Sequence, residues 1–151
     1  MPIIWDIAAG RAEEPTKEDG SSPLTTLTTI GDIGVFVAAA CELEDGVWQH
    51  DMGMVGETIA VSEVTRLIEE VGGKKLKVER VTYEQLQQRT EAIKGCGMGK
   101  DEVLTKLLGQ LVMLMAEEKE GLMIMKPVIN SLCPQVQPTS VREYLLRCYQ
   151  A

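Results

Sequence analysis

Between Val61 and Val81 the hydrophobic period changes once, and that change limits the folds this chain can join. Val61, Val64, Leu67, Ile68 and Val71 recur at three- and four-residue intervals, the spacing that gathers side chains on one face of an α-helix. Gly72 and Gly73 follow, a pair suited to the left-handed turn that ends a helix. From Lys75 to Val81 the period falls to two: Leu76, Val78 and Arg80 alternate with Lys75, Lys77 and Glu79, as in a half-buried strand. Thr82, with Gln85 three residues on, then offers a capping box for a helix to about Ile93. Strands and helices in alternation predict an α/β fold.

The flanking segments extend the pattern. Met1 to Ala9 reads as a short helix or extended segment, and residues 10–23, rich in Gly, Pro, Ser and mixed charge, as a surface loop. Leu24 to Ile30 is β-branched and predicts a strand. Gly31-Asp32 turns it into a helix from Asp32 to about Leu43, stopping near Gly46. Asp32 lies where a carboxylate meets the positive helix end, and Ile33, Phe36, Val37 and Ala40 share the inner face. A second strand falls within Met54 to Ile59. Residues 95–100 form a Gly-rich loop, after which Asp101 caps a long helix to about Lys119. Its apolar stretch Leu111 to Ala116 implies burial on several sides. Pro127, Pro134 and Pro138 punctuate the next stretch, and Thr139 or Ser140 caps a last helix that turns Val141, Tyr144, Leu145 and Cys148 inward. The 151 residues suffice for a single domain, residues 1–151. Its three short strands supply less sheet than its apolar helices need, so part of the fold is expected to be missing.

Several chemistries find no support. The net charge is −8, against a nucleic-acid footprint or an anionic membrane surface; the most basic stretch, Lys74 to Arg80, is interrupted by Leu76, Val78 and Glu79. Cys41, Cys96, Cys133 and Cys148 are widely spaced and His50 is the single histidine, so reduced thiols are expected and no metal site. No basic stretch precedes the apolar start, which Asp6 interrupts, and the longest apolar run, Ile33 to Cys41, is far short of the roughly 20 residues that span a bilayer. A cytoplasmic location is expected. Gly95 to Lys100 lacks the strand, spacing and Ser or Thr of a P-loop. Gly53 to Gly56 is a lone GxxG, and no GxGxxG turn offers a pyrophosphate seat. His50 reads as a solvated loop residue, and no Ser-His-Asp order is visible, so no catalytic or cofactor-binding residue is assigned. The pairs Glu13-Glu14, Glu69-Glu70 and Glu117-Glu118 read as solvated charge. Met113, Met115, Met123 and Met125 read first as core. Their functional reading is a pliable wall for an apolar small molecule, with Trp5, Met113 and Met123 as candidate substrate-pocket residues.

The segment from Ser22 to Leu43, with Thr28, Thr29, Asp32, Ile33 and Gly34 at its centre, resembles NmrA-like and isoflavone-reductase-like proteins. Pro2 to Gly10, Gly56 to Leu86 and Pro138 to Leu145 are similar to flanking parts of the same group. The resemblance implies an extended short-chain-dehydrogenase-like architecture. In such proteins an N-terminal Rossmann domain binds NADP or NAD and a C-terminal portion shapes the substrate pocket. This chain resembles the C-terminal half alone: partial Rossmann-like strands plus a helical substrate-binding portion, without the dinucleotide-binding half and with no cofactor of its own. Two departures stand out. Val35 replaces a basic residue of many members, and Ala60 replaces a helix cap worth about 0.5–2 kcal/mol. Three functions are open to such a chain: a reductase portion inactive alone, a regulatory or protein-interaction module without catalysis, or a small ligand-binding or isomerase domain. Self-association through exposed apolar faces is expected if half of the fold is absent.

Overall fold

The computed structural model describes residues 4–47, 51–93, 99–117, 123–126 and 128–150. Three short strands form one sheet in the order β1 (Trp5–Asp6), β2 (Arg11–Pro15), β5 (Lys77–Val81). β1 is antiparallel to β2, and β2 is parallel to β5. A separate antiparallel pair joins β3 (Leu24–Leu27) to β4 (Glu57–Ala60). Five α-helices complete the chain: α1 (Ile30–Ala40), α2 (Val61–Gly72), α3 (Tyr83–Glu91), α4 (Lys100–Glu117) and α5 (Val141–Gln150). A 3-10 turn covers Ile129–Ser131. The α/β class stands, and the described residues after Gly99 lie in helices and irregular chain, with a single isolated bridge from Val128 to Gly53. A small ligand-binding or isomerase domain of the strongly curved, strand-rich kind would need long strands in that half, and none is found among the described residues.

The surface loop expected over 10–23 is wrong in its first third. Arg11–Pro15 is the middle strand of the sheet, with Ala12, Glu14 and Pro15 buried. Glu and Pro disfavour strands locally, but β2 is held by partners on both sides. Pro15 lies beyond the reach of β1, so its missing N–H breaks no ladder bond there. Solvated charge is corrected likewise: Glu14 is 5% exposed.

Local chemistry resets several boundaries. Thr29 is extended and its hydroxyl accepts from the Asp32 N–H at 3.0 Å, so β3 ends early and α1 begins at Ile30. That helix stops at Ala40 and buries Phe36, Ala39 and Ala40, while Ile33 and Val37 stay exposed. β4 starts only at Glu57 because the preceding backbone is already engaged. The Asn130 amide embraces Val55, accepting from its N–H at 3.1 Å and donating to its carbonyl at 2.8 Å. The Thr28 hydroxyl accepts from the Gly56 N–H at 3.0 Å. A Cβ at Gly56 would collide with the Leu27 carbonyl oxygen.

α2 runs as its periodicity predicts and ends on Gly73, at φ +67°. Ala60 supplies no side-chain cap, and a distant loop does the work. The Ser22 hydroxyl accepts from the Ser62 N–H at 2.9 Å, and the Pro23 carbonyl accepts from the Val61 N–H at 3.0 Å. The Thr82–Gln85 capping box forms as expected. β5 is not half-buried: it starts at Lys77, and only Val81 is buried. α4 is not buried on several sides either; Val112, Met115 and Ala116 are buried, while Leu111 and Leu114 are exposed. In α5, Val141 and Leu145 face inward but Tyr144 and Cys148 are exposed. His50, Cys96, Glu118 and most of the Gly-rich loop 95–100 lie outside the described residues.

Candidate functional site

Trp5, Met113 and Met123 do come together, but on core. All three are partly buried against one cluster that includes Ile4, Val61, Val81 and Val112. The Trp5 indole donates to the Thr65 hydroxyl at 2.9 Å, tying β1 to α2. The Met123 carbonyl accepts from the Thr26 N–H at 3.0 Å.

None of the three lines the concavity formed beside this cluster by the β1-β2-β5 sheet. It holds about 450 Å³ and is walled by α3 and α4. Sheet register decides what its floor presents. Asp6, Arg11 and Lys77 are aligned across the three strands, and Glu13 is aligned with Glu79 one pleat further on. Aligned partners, and residues two apart on a strand, point to one face. Arg89 of α3 marks that face as the cleft side, for its guanidinium meets Glu13 at 2.7 Å and Glu79 at 3.4 Å. Leu86, Ile93 and Ile4 supply apolar wall, with Thr105 and Gly109 from α4.

The helices approach closely because Gly109 has no side chain; a Cβ there would lie 2.6 Å from the Thr90 hydroxyl oxygen. That hydroxyl is itself fixed, donating to the Leu86 carbonyl at 2.8 Å. On the floor, Asp6 accepts from the Ala9 N–H at 3.0 Å and pairs with Arg11 at 3.2 Å. The Ala9 amide and, against partial burial, the Arg11 guanidinium hold this carboxyl below the ordinary carboxylate range. A smaller cavity of about 300 Å³ lies between the β1–β2 turn and α2, beside Lys74, Lys75 and Tyr149.

Arg11, Glu13, Lys77, Glu79 and Arg89 carry no sequence motif. The charge alternation in Lys75–Val81 is visible in the sequence, but it reads as a solvated strand face until β2 is known to lie beside it.

A nicotinamide dinucleotide would need a helix N-terminus whose amides are open to its pyrophosphate. Each described α-helix has at least one amide at or just ahead of its start bonded within the protein. The Thr29 hydroxyl holds an amide at the start of α1, and Ser22 and Pro23 hold two at α2. Thr82 and Gln85 close α3. Glu102 accepts from the Gly99 N–H at 3.1 Å ahead of α4. Glu57 accepts from the Val141 N–H at 2.7 Å, and Glu143 from the Ser140 N–H at 2.9 Å, at α5. Every described α-helix also carries an acidic residue in its first turn, which repels phosphate. Among the described residues no three His, Cys, Asp or Glu side chains gather as a metal site would require. No described helix is long and apolar enough to cross a membrane.

The chain has an α/β fold that it shares, in part, with solved reductase and epimerase structures. Three solved structures make the likeness concrete. An NADPH-dependent quinone oxidoreductase from Escherichia coli matches with TM-score 0.62 at 12% identity, over 94% of this chain and 47% of that one. A triphenylmethane reductase from Citrobacter sp., complexed with NADP(H), matches with TM-score 0.60 at 15% identity, over 94% and 45%. A nucleoside-diphosphate-sugar epimerase from Staphylococcus aureus matches with TM-score 0.59 at 18% identity, over 87% and 43%. The chain therefore spans less than half the length of the structures it matches. No family model and no curated protein sequence matches it.

Proposed function

We propose that this chain is the C-terminal, substrate-side portion of an NAD(P)-dependent reductase-like protein of the NmrA-like and isoflavone-reductase-like kind. By itself it binds no dinucleotide and turns over no substrate. Its role is to seat a small molecule, and the cleft between the sheet and the α3–α4 pair is the place for it. One observation carries this reading: nearly all of the chain superposes on less than half of each reductase. Cofactor, NADP or NAD, belongs to the other half. Turnover is the test. The purified chain, given NADPH and a series of quinones, is expected to oxidise no cofactor above the buffer rate, and steady oxidation would refute the proposal.

A second reading, a protein-interaction module, is favoured by α4. Leu104, Leu107, Leu111 and Leu114 recur at three- and four-residue steps and all are exposed, the spacing of a helix-pairing seam. Ile30, 90% exposed, adds apolar surface on α1. Sedimentation over a hundredfold concentration range decides: self-association lost in a Leu107→Glu, Leu111→Glu variant supports it, and a monomer throughout removes it.

A further inference from the structure

The cleft carries three cations and three carboxylates, yet they are unevenly matched. Glu13 and Glu79 lie directly opposite each other on β2 and β5, a repulsive arrangement that Arg89 resolves by bridging both. Arg11 and Lys77 repeat that arrangement with the opposite sign one pleat away. Here the remedy is half complete. Asp6 reaches only Arg11, through Nε at 3.3 Å and Nη2 at 3.2 Å. The Lys77 ammonium makes no ion pair among the described residues. One end of the cleft thus holds two cations against one carboxylate, beside the apolar wall of Ile4, Leu86 and Ile93.

We propose that the cleft takes a small monocarboxylate with a flat apolar body, its charge seated between Arg11 and Lys77. The inference rests on the reading of the cleft as a small-molecule site. Neighbouring strands lie about 4.8 Å apart, so one carboxylate can accept from both side chains at once. It supplies to the basic pair the opposite charge that Arg89 supplies to the acidic pair. A cation gains nothing comparable, because the carboxylates at the other end already share Arg89. A volume of about 450 Å³ is within the ordinary range for small-molecule sites. Thr90 and Thr105 add no free donor, since their hydroxyls already donate to the Leu86 and Asp101 carbonyls. Selection for charge therefore falls on Arg11 and Lys77, and selection for shape on the helices.

The experiment is a heteronuclear NMR titration of the whole chain with 2-naphthoate and with its neutral twin 2-naphthamide, repeated on Lys77→Gln. Naphthoate is expected to shift the amides of Arg11, Lys77, Thr105 and Gly109 and to bind at least fivefold more tightly than the amide. In Lys77→Gln the gap is expected to close to about twofold while naphthamide affinity holds. Equal binding of both probes at those amides would overturn the charge preference and leave the cleft reading intact. A preference that survives Lys77→Gln unchanged would overturn the seat assigned to the charge. Shifts from neither probe at those amides would overturn the cleft reading as well.

Discussion

Removing the Asp32 carboxylate should unfasten the two ends of the chain from each other. Asp32 stands in the first turn of α1, is 9% exposed, and accepts from the Thr139 N–H at 2.9 Å and the Thr139 hydroxyl at 3.1 Å. Those two bonds join residues 107 positions apart, just ahead of α5. A hydrogen bond to a charged group contributes ~1.5–3 kcal/mol net, and an orphaned buried partner is costlier than a missing pair. Asp32→Ala breaks two such bonds and strips a favourable charge from the start of α1, so a loss of about 2–4 kcal/mol is expected. For a domain with ~5–15 kcal/mol in all, that is large. The pH dependence gives an independent check. Burial alone would raise the titration of Asp32; the Thr139 N–H, the Thr29 and Thr139 hydroxyls and the Arg147 guanidinium outweigh it and hold the carboxyl below its ordinary range. A depressed folded value means stability that is fully present above the unfolded value of about 3.9 and is lost as pH falls through the folded one. Urea denaturation of the wild type and of Asp32→Asn, from pH 7 to pH 2.5, is the assay. The gap between them should be constant near neutrality and shrink only below about pH 4. A gap under ~0.5 kcal/mol at pH 7, no larger than an ordinary surface change, or one that persists undiminished at pH 2.5, would refute the reasoning.

Two further substitutions probe the scaffold of the site. Gly109→Ala should destabilise by about 1–2 kcal/mol, since overpacking against the fixed Thr90 hydroxyl exceeds the helix-propensity gain of about 1 kcal/mol; in a Thr90→Ala background the same change should become neutral or stabilising, as thermal melts of the four proteins will show. Ser22→Ala should lose about 1 kcal/mol by uncapping α2 across the chain, and adding Ala60→Ser should recover most of it in urea titrations.

What the sequence disclosed was local. Val61 to Gly73 and the Thr82–Gln85 box were legible because periodicity, glycine and capping act within one or two turns. β2 was not, because Arg-Ala-Glu-Glu-Pro becomes a strand only when β1 and β5 lie on either side, and β5 is more than sixty residues away. The cap of α2 is supplied from 40 residues upstream by Ser22, so the unfavourable Ala60 gave no hint of it. Exposure of Val78, Leu111 and Leu114 defied patterns that read as buried, because apolar faces were assigned a covering layer that the described residues do not provide. The cleft was invisible for the same reason: Arg89 and Glu13 meet across 76 positions. Trp5, Met113 and Met123 pack against one apolar cluster, and composition cannot tell a packed cluster from an open cavity.

Nicotinamide fluorescence gives the most direct test. NADPH titrated into the purified chain to 100 μM, about a hundred times a typical micromolar dissociation constant, is predicted to show no saturable enhancement or blue shift. Saturable binding in the micromolar range would mean that some described helix start opens to accept a pyrophosphate, and the chain would then have to be regarded as a cofactor-binding unit in its own right.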